Sequence, residues 1–170
     1  MQNGGYYIGR FEAGKENNKL VCKAGQTVYV DINQPDASNA CKNMYNEGAD
    51  GYNANTFSSD LINSYAWDTA IIFIQTFGGE RQYYKQNKCT SITTTGGNED
   101  EYCNINDMSG NVQEWSTETY GYGDSTCVLR GGYCYMDYDD PTYYTSYRYS
   151  TKTTNFSGDY SFRPLLYVAL

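Results

Sequence analysis

Histidine is absent from the 170 residues. With it go the usual general base, the usual zinc ligand and the Ser-His or Cys-His nucleophile pair, and hence most familiar hydrolase chemistry. Aliphatics are scarce too: Leu, Ile, Val and Phe occupy 26 positions, or 15%, a level that with high net charge marks disordered chains. Bases are outnumbered, 12 Lys and Arg against 20 Asp and Glu, for a net charge of −8. That balance lacks the basic footprint needed for phosphate backbones or anionic lipid, so nucleic acid and membrane surfaces are poor partners. No apolar run approaches the 18 residues of a spanning helix, so membrane insertion is not expected. The start, Met1-Gln2-Asn3-Gly4-Gly5, has neither the basic region nor the apolar stretch of a signal peptide. Any export signal is therefore expected to lie outside this chain. The six cysteines show no C-x-x-C spacing, which leaves a zinc knuckle or thioredoxin-like motif unsupported. Their even number permits disulfides; Cys89 and Cys103 bracket a polar loop and are the expected pair, with free thiols as the alternative.

Tyrosine takes the place of the missing aliphatics. Twenty Tyr and two Trp supply large rings that pack while keeping a polar tip wet, so a folded, polar, aromatic-rich domain is expected. One domain suits the length, which should bury roughly 70% of the extended chain's surface.

Along the chain, Tyr6 to Glu12 reads as an opening strand that stops at Ala13-Gly14, and Val28-Tyr29-Val30 as a second extended piece. Asn33 and Asp36 have the spacing of a helix cap and its N3 acid, with Pro35 in the first turn. Ala37, Ala40, Cys41, Met44 and Tyr45 then follow a helical period. Asn46 to Ser59 reads as loop. Asn63 or Ser64 caps a second helix, in which Trp67, Ala70, Ile71, Ile74 and Phe77 share a face before Gly78-Gly79. Beyond Gly79 come polar loops and short strand-like pieces, Val112 to Trp115 and Cys127 to Arg130, then a closing strand from Phe162 to Leu170, with Pro164 marking an edge or bulge near its start. The class is α+β.

Three stretches in order carry a resemblance. They are Gly5-Tyr6-Tyr7-Ile8-Gly9-Arg10-Phe11-Glu12; Asp107-Met108-Ser109-Gly110-Asn111-Val112-Gln113-Glu114-Trp115; and Val128-Leu129-Arg130-Gly131-Gly132 with a final Ser161-Phe162-Arg163-Pro164. Together they resemble the formylglycine-generating enzyme superfamily, whose forms are YxIGRYEV, DMxGNVWEW and VLRGGSW…GFR. The resemblance implies a C-type-lectin-like fold: two helices beside small twisted sheets, paired termini and a long irregular second half carrying the functional surface. Gln113 departs from the family's Trp, which loosens packing there. Some members hold calcium near this segment, making Asn111 and Glu114 candidate ligands, far short of the six to eight oxygens calcium takes; no other cofactor is expected. The enzymes bind copper through two cysteines at the fourth and ninth positions after the second glycine. Counted from Gly132 these positions hold Met136 and Pro141, neither of which does thiolate chemistry. Cys134 stands alone nearby as a packed, disulfide-linked or incidental residue. The chain therefore resembles the fold without the catalytic pair, and activity does not transfer. Gln34-Pro35-Asp36 is a sugar-selecting triplet in calcium-dependent lectins, but here it opens a helix and no Trp-Asn-Asp follows, so it reads as a cap.

The 29 residues from Tyr133 to Ser161 contain eight Tyr and no Ala, Val, Ile or Leu. Tyr amid Ser, Thr, Asn, Asp and Gly is the chemistry of a binding surface, because Tyr gives large contact area at low rotamer cost. The resemblance sharpens this reading. Variable proteins of diversity-generating retroelements use the same fold and diversify residues between the GG pair and the final FR. Adenine mutagenesis of an AAC codon yields Tyr, Asp, Ser, Thr and similar residues, and within the segment only Met136 and Lys152 fall outside its reach. One domain is thus expected: scaffold 1–132, a variable ligand-binding segment 133–161, and a closing strand 162–170. The site candidates are Tyr133, Tyr135, Asp137, Tyr138, Asp139, Tyr143, Tyr144, Tyr147, Tyr149, Asn155 and Tyr160. Arg130, Gly131, Gly132, Phe162 and Arg163 are expected framework, with Arg148 open between the two roles. The function expected is a non-enzymatic, receptor-binding domain of phage or bacterial-surface type, facing the exterior and meeting a protein or glycan on a cell surface. The alternatives are a formylglycine-generating-type oxidoreductase or degenerate relative, and a fixed-specificity glycan-binding adhesin.

Overall fold

The computed structural model describes residues 3–45, 57–121, 126–134 and 140–169. Strands and helices follow in the order β1 (Asn3–Ile8), β2 (Gly14–Glu16), β3 (Lys19–Val21), β4 (Thr27–Val28), α1 (Gln34–Lys42), β5 (Phe57–Leu61), α2 (Ser64–Phe77), β6 (Glu101–Tyr102), β7 (Ile105–Asn106), β8 (Gln113–Thr119), β9 (Thr126–Arg130), β10 (Arg148–Lys152), β11 (Tyr160–Phe162) and β12 (Pro164–Ala169). The class is α+β, as expected. A terminal sheet has the order β1-β12-β5 and a second sheet the order β10-β9-β8-β11, with two small sheets, β3-β2-β4 and β6-β7, beside them. The termini are paired through antiparallel β1 and β12.

Both helices start where capping chemistry places them. Asn33 Oδ1 accepts from the Asp36 N–H at 2.9 Å, and Asn63 Oδ1 from the Ala66 N–H at 2.8 Å. Each helix buries one stripe. Trp67, Ala70, Ile71 and Ile74 of α2 pack with Tyr83, Met108 and Leu165. Ala37 and Cys41 of α1 pack with Leu61, Trp115, Leu129 and Phe162. Both indoles are fully buried and both donate inward, Trp67 to the Thr145 carbonyl at 3.0 Å and Trp115 to the Ile32 carbonyl at 2.9 Å.

Four expectations change. The opening strand ends at Ile8: Gly9 N–H makes a last bond to β12 at the Pro164 carbonyl (2.8 Å), and the Arg10 carbonyl then accepts from Asn106 N–H of β7 instead (2.9 Å). The expected loop from Asn46 to Ser59 gives way at Phe57 to β5, whose polar Ser59 is buried with its hydroxyl donating to the Cys41 carbonyl at 2.6 Å; residues 46–56 lie outside the described set. The closing strand is two strands in different sheets, broken at Arg163, and Pro164 begins a central strand, where its missing N–H falls at the strand's first position. The disulfide joins Cys89 to Cys134, with Cα atoms 5.3 Å apart, and Cys103 is a free thiol. Cys103 occupies a left-handed turn between β6 and β7 (φ +54°) that packs it against the α2 core, away from Cys89.

At the break between β11 and β12, Arg163 is fully buried and meets Glu114 of β8 through two bonds, Nε to Oε2 at 3.0 Å and Nη2 to Oε1 at 2.7 Å. It also donates to the carbonyls of Gly9 and Asn106, both at 2.8 Å. Burial works against its charge, and Glu114 more than restores it. Nearby Glu12 is fully buried and accepts from the Asn111 amide. Burial first, then Asp107 and Glu114, pushes its carboxyl well above the usual range. Burial likewise raises Asp107 to about 6.

Glu12 and Asp107 therefore fold best neutral. Their contribution to stability is complete below the unfolded carboxylate range and is lost as pH rises through their raised values, so the thermal midpoint should climb as pH falls from about 7 to about 5. Asp107→Asn should flatten that rise. Glu12→Gln should cost less than about 1 kcal/mol, whereas Glu114→Gln, which strips Arg163 of its counter-charge, should cost about 3 to 5 kcal/mol; urea titrations of the two variants compare them. Trp67→Ala and Trp115→Ala should each lose on the order of 3 to 5 kcal/mol, and unchanged midpoints would refute these cores. Non-reducing peptide mapping should recover the Cys89–Cys134 bridge and leave it intact in Cys103→Ser.

Candidate functional site

The chain leaves β9 at Arg130 through Gly131, whose φ of +85° suits glycine. It then passes Gly132, where a Cβ would lie 2.6 Å from the carbonyl oxygens of both Ser109 and Tyr143. The tyrosine-rich segment that follows is pinned at intervals. Asn87 Nδ2 donates to the Tyr133 carbonyl at 2.7 Å, and the Cys89 bridge holds Cys134. Farther on, Thr145 is buried, donating through Oγ1 to the Gln86 carbonyl at 2.6 Å, while Ser146 N–H bonds the Tyr84 carbonyl at 3.1 Å. β10 then pairs with β9. At the far end Asp31 N–H bonds the Ser157 carbonyl (3.0 Å) and Gln113 N–H the Asp159 carbonyl (2.9 Å), which seats β11 parallel to β8.

Strand alternation sorts the side chains of this sheet onto two faces. Tyr149 is registered with Leu129, and Tyr160 with Gln113, on the face where Trp115 and Phe162 form core. Arg148 is registered with Arg130 on the opposite face. There Arg148 Nη2 meets Asp68 at 2.5 Å and Arg148 Nε meets Glu118 at 3.2 Å, while Arg130 also pairs with Asp68. Arg148 is thus framework.

Beyond the core on the first face lies an open concavity of about 350 Å³ lined by Gln113, Tyr133, Tyr143, Tyr147, Tyr149, Ser157, Asp159 and Tyr160. The Tyr133 and Tyr143 rings meet edge to face at 6.1 Å, and Tyr160 sits edge-on to Trp115 at 5.4 Å. Burial, then Tyr149, which shares a hydrogen bond with it, pushes the Tyr160 phenol up to about 12. Asp159 N–H bonds Ser157 Oγ at 3.2 Å, fixing the turn that presents both residues. These groups offer ring faces, phenol hydroxyls, one amide, one hydroxyl and one carboxylate. That is equipment for recognition.

Five of the expected residues, Tyr133, Tyr143, Tyr147, Tyr149 and Tyr160, come together here. Two do not line the concavity: Tyr144 lies in a turn closed by its carbonyl and the Tyr147 N–H (2.9 Å), and exposed Asn155 donates to Thr151 Oγ1 at 2.6 Å. Tyr135, Asp137, Tyr138 and Asp139 lie outside the described residues. Gln113, Ser157 and Asp159 were not anticipated. The signal for Gln113 was its departure from the family's Trp, since an amide in place of an indole leaves room at the floor. The calcium candidates are engaged within the protein: both Glu114 oxygens accept from Arg163, and Asn111 bridges Glu12 and the Thr93 N–H. Among the described residues, no three His, Cys, Asp or Glu side chains group as a metal site.

No family model matches the chain, and no curated protein matches it in sequence. Solved structures are similar to it in fold, two of them as follows. Treponema denticola variable protein 1 superposes with a TM-score of 0.64 at 15% identity, covering 94% of this chain and 84% of that one. The crystal structure of CarF gives a TM-score of 0.61 at 15% identity, with coverage of 94% and 85%. The chain has the C-type-lectin-like α+β fold, shared over nearly its whole length with a variable protein.

Proposed function

We propose that this chain is a non-enzymatic ligand-binding domain of the variable-protein kind, in which residues 133–161 are diversified by a retroelement and bind a protein or glycan on a cell surface. The carrier would be a virion or a bacterial surface. One observation carries the reading: seven of the eight described residues around the concavity come from that segment, while buried framework groups hold its backbone at both ends and in the middle. The side chains that line the concavity can then vary without the backbone that carries them. The fold likeness to a variable protein supports it. So does the state of Cys134, the cysteine nearest the GG pair, which is spent in a disulfide; the role calls for no cofactor.

Two measurements test it. In the flanking DNA, a near-copy of the segment differing mainly at adenines beside a reverse transcriptase is expected; its absence would leave a fixed-specificity adhesin. On the protein, Tyr149→Ser should change stability by about 0.5 kcal/mol or less, and Tyr143→Ser and Tyr147→Ser, half-buried, by about 1 kcal/mol. Each should weaken a ligand found by screening glycans and cell-surface proteins by about 2 kcal/mol, roughly 30-fold. Unfolding across the series would make these rings core and remove the site.

A further inference from the structure

The tyrosine concavity has a sign. Among the described residues, five phenol rings line it with one carboxylate, Asp159, and none of the lining residues is a base. Sheet alternation explains the exclusion. Arg148 and Lys152 of β10 alternate away from Tyr149, onto the face where Arg130 meets Asp68 and Glu118. The sequence repeats the bias, since residues 133–147 include Asp137, Asp139 and Asp140 and no Lys or Arg. Aromatic faces carry the negative end of a ring quadrupole, and a cation within about 6 Å of a ring centroid is drawn to it most strongly where water is displaced. An anion would face the Asp159 carboxylate and the phenol faces together. A purely apolar group would add nothing to the Asp159 carboxylate beyond the Ser157 hydroxyl it already accepts from, at 3.3 Å.

We propose that the site takes an organic cation, an alkylammonium or guanidinium group presented by the ligand, seated among the tyrosine rings with Asp159 as counter-charge. The inference rests on the binding-domain reading above and names the chemistry of what is bound.

The test uses the whole chain and four cations: tetramethylammonium, choline, and lysine and arginine capped at both ends. The control is 3,3-dimethylbutan-1-ol, the uncharged carbon isostere of choline. Binding is read from shifts of the tyrosine ring resonances. At least one cation should saturate below about 10 mM and bind about tenfold or more tighter than the isostere. Tyr149→Leu should lose about tenfold, Tyr149→Phe should keep most of the affinity, and Asp159→Asn should weaken the cation while leaving the isostere unchanged, all with thermal midpoints near wild type. Preference for choline would assign a quaternary headgroup, and preference for capped lysine or arginine a protein side chain; either supports the proposal. Equal binding of choline and isostere, or no saturation by any cation, overturns it. If the cations fail while a screened glycan or protein still loses binding on Tyr149→Leu, the cation falls and the binding-domain reading stands. If nothing bound depends on these tyrosines, both fall.

Discussion

The Arg163–Glu114 pair joins, at one buried point, parts of the chain that backbone pairing otherwise links only two at a time. The guanidinium lies where the chain passes from one main sheet to the other, and its four hydrogen bonds reach β8, the turn after β1 and the end of β7 at once. Such a pair is costly to desolvate, and the extra bonds to backbone carbonyls offset that cost. It also reinforces topology, because Arg163 follows β11 and Glu114 lies on β8, the strand beside which β11 runs parallel. The floor of the concavity, Gln113 and Tyr160, sits on those same two strands. The geometry of the concavity is therefore tied to a buried ion pair.

Around that pair the molecule divides labour by depth. Thr145, polar and fully buried, ties the segment to the Gln86 carbonyl, while Tyr133, Tyr143, Tyr147, Tyr149 and Tyr160 line the concavity. Polar framework suits a chain poor in aliphatics, because directional bonds fix a backbone where bulk hydrophobic packing is thin. The sheet adds a second division, with ion pairs on one face and phenols on the other.

How much of this the sequence disclosed depended on the range of the interaction. Both helices were legible, since Asn33, Asp36 and Asn63 act within one turn and the apolar period does the rest. β5 was not, because Ser58 and Ser59 read as loop, whereas pairing with β12 and a hydroxyl bond to the Cys41 carbonyl bury Ser59. The disulfide was misassigned for the same reason: Cys103 is nearer to Cys89 in sequence, but the turn it occupies faces another core. Composition singled out the segment that supplies most of the described lining of the concavity, yet it cannot tell which side of β10 a residue takes, so Arg148 was left open. Gln113 and Asp159 reach the site only because a parallel strand pairing brings 113 beside 160, a register no local pattern encodes.

The Thr145 pin has a polymer consequence. Cys134 is tied to Cys89 and Thr145 to Gln86, so two points of the chain are fixed by the framework independently of the residues between them. Closure entropy depends only weakly on contour length, about 0.6 kcal/mol for each doubling. A change in the number of residues between two such fixed points therefore carries little closure cost.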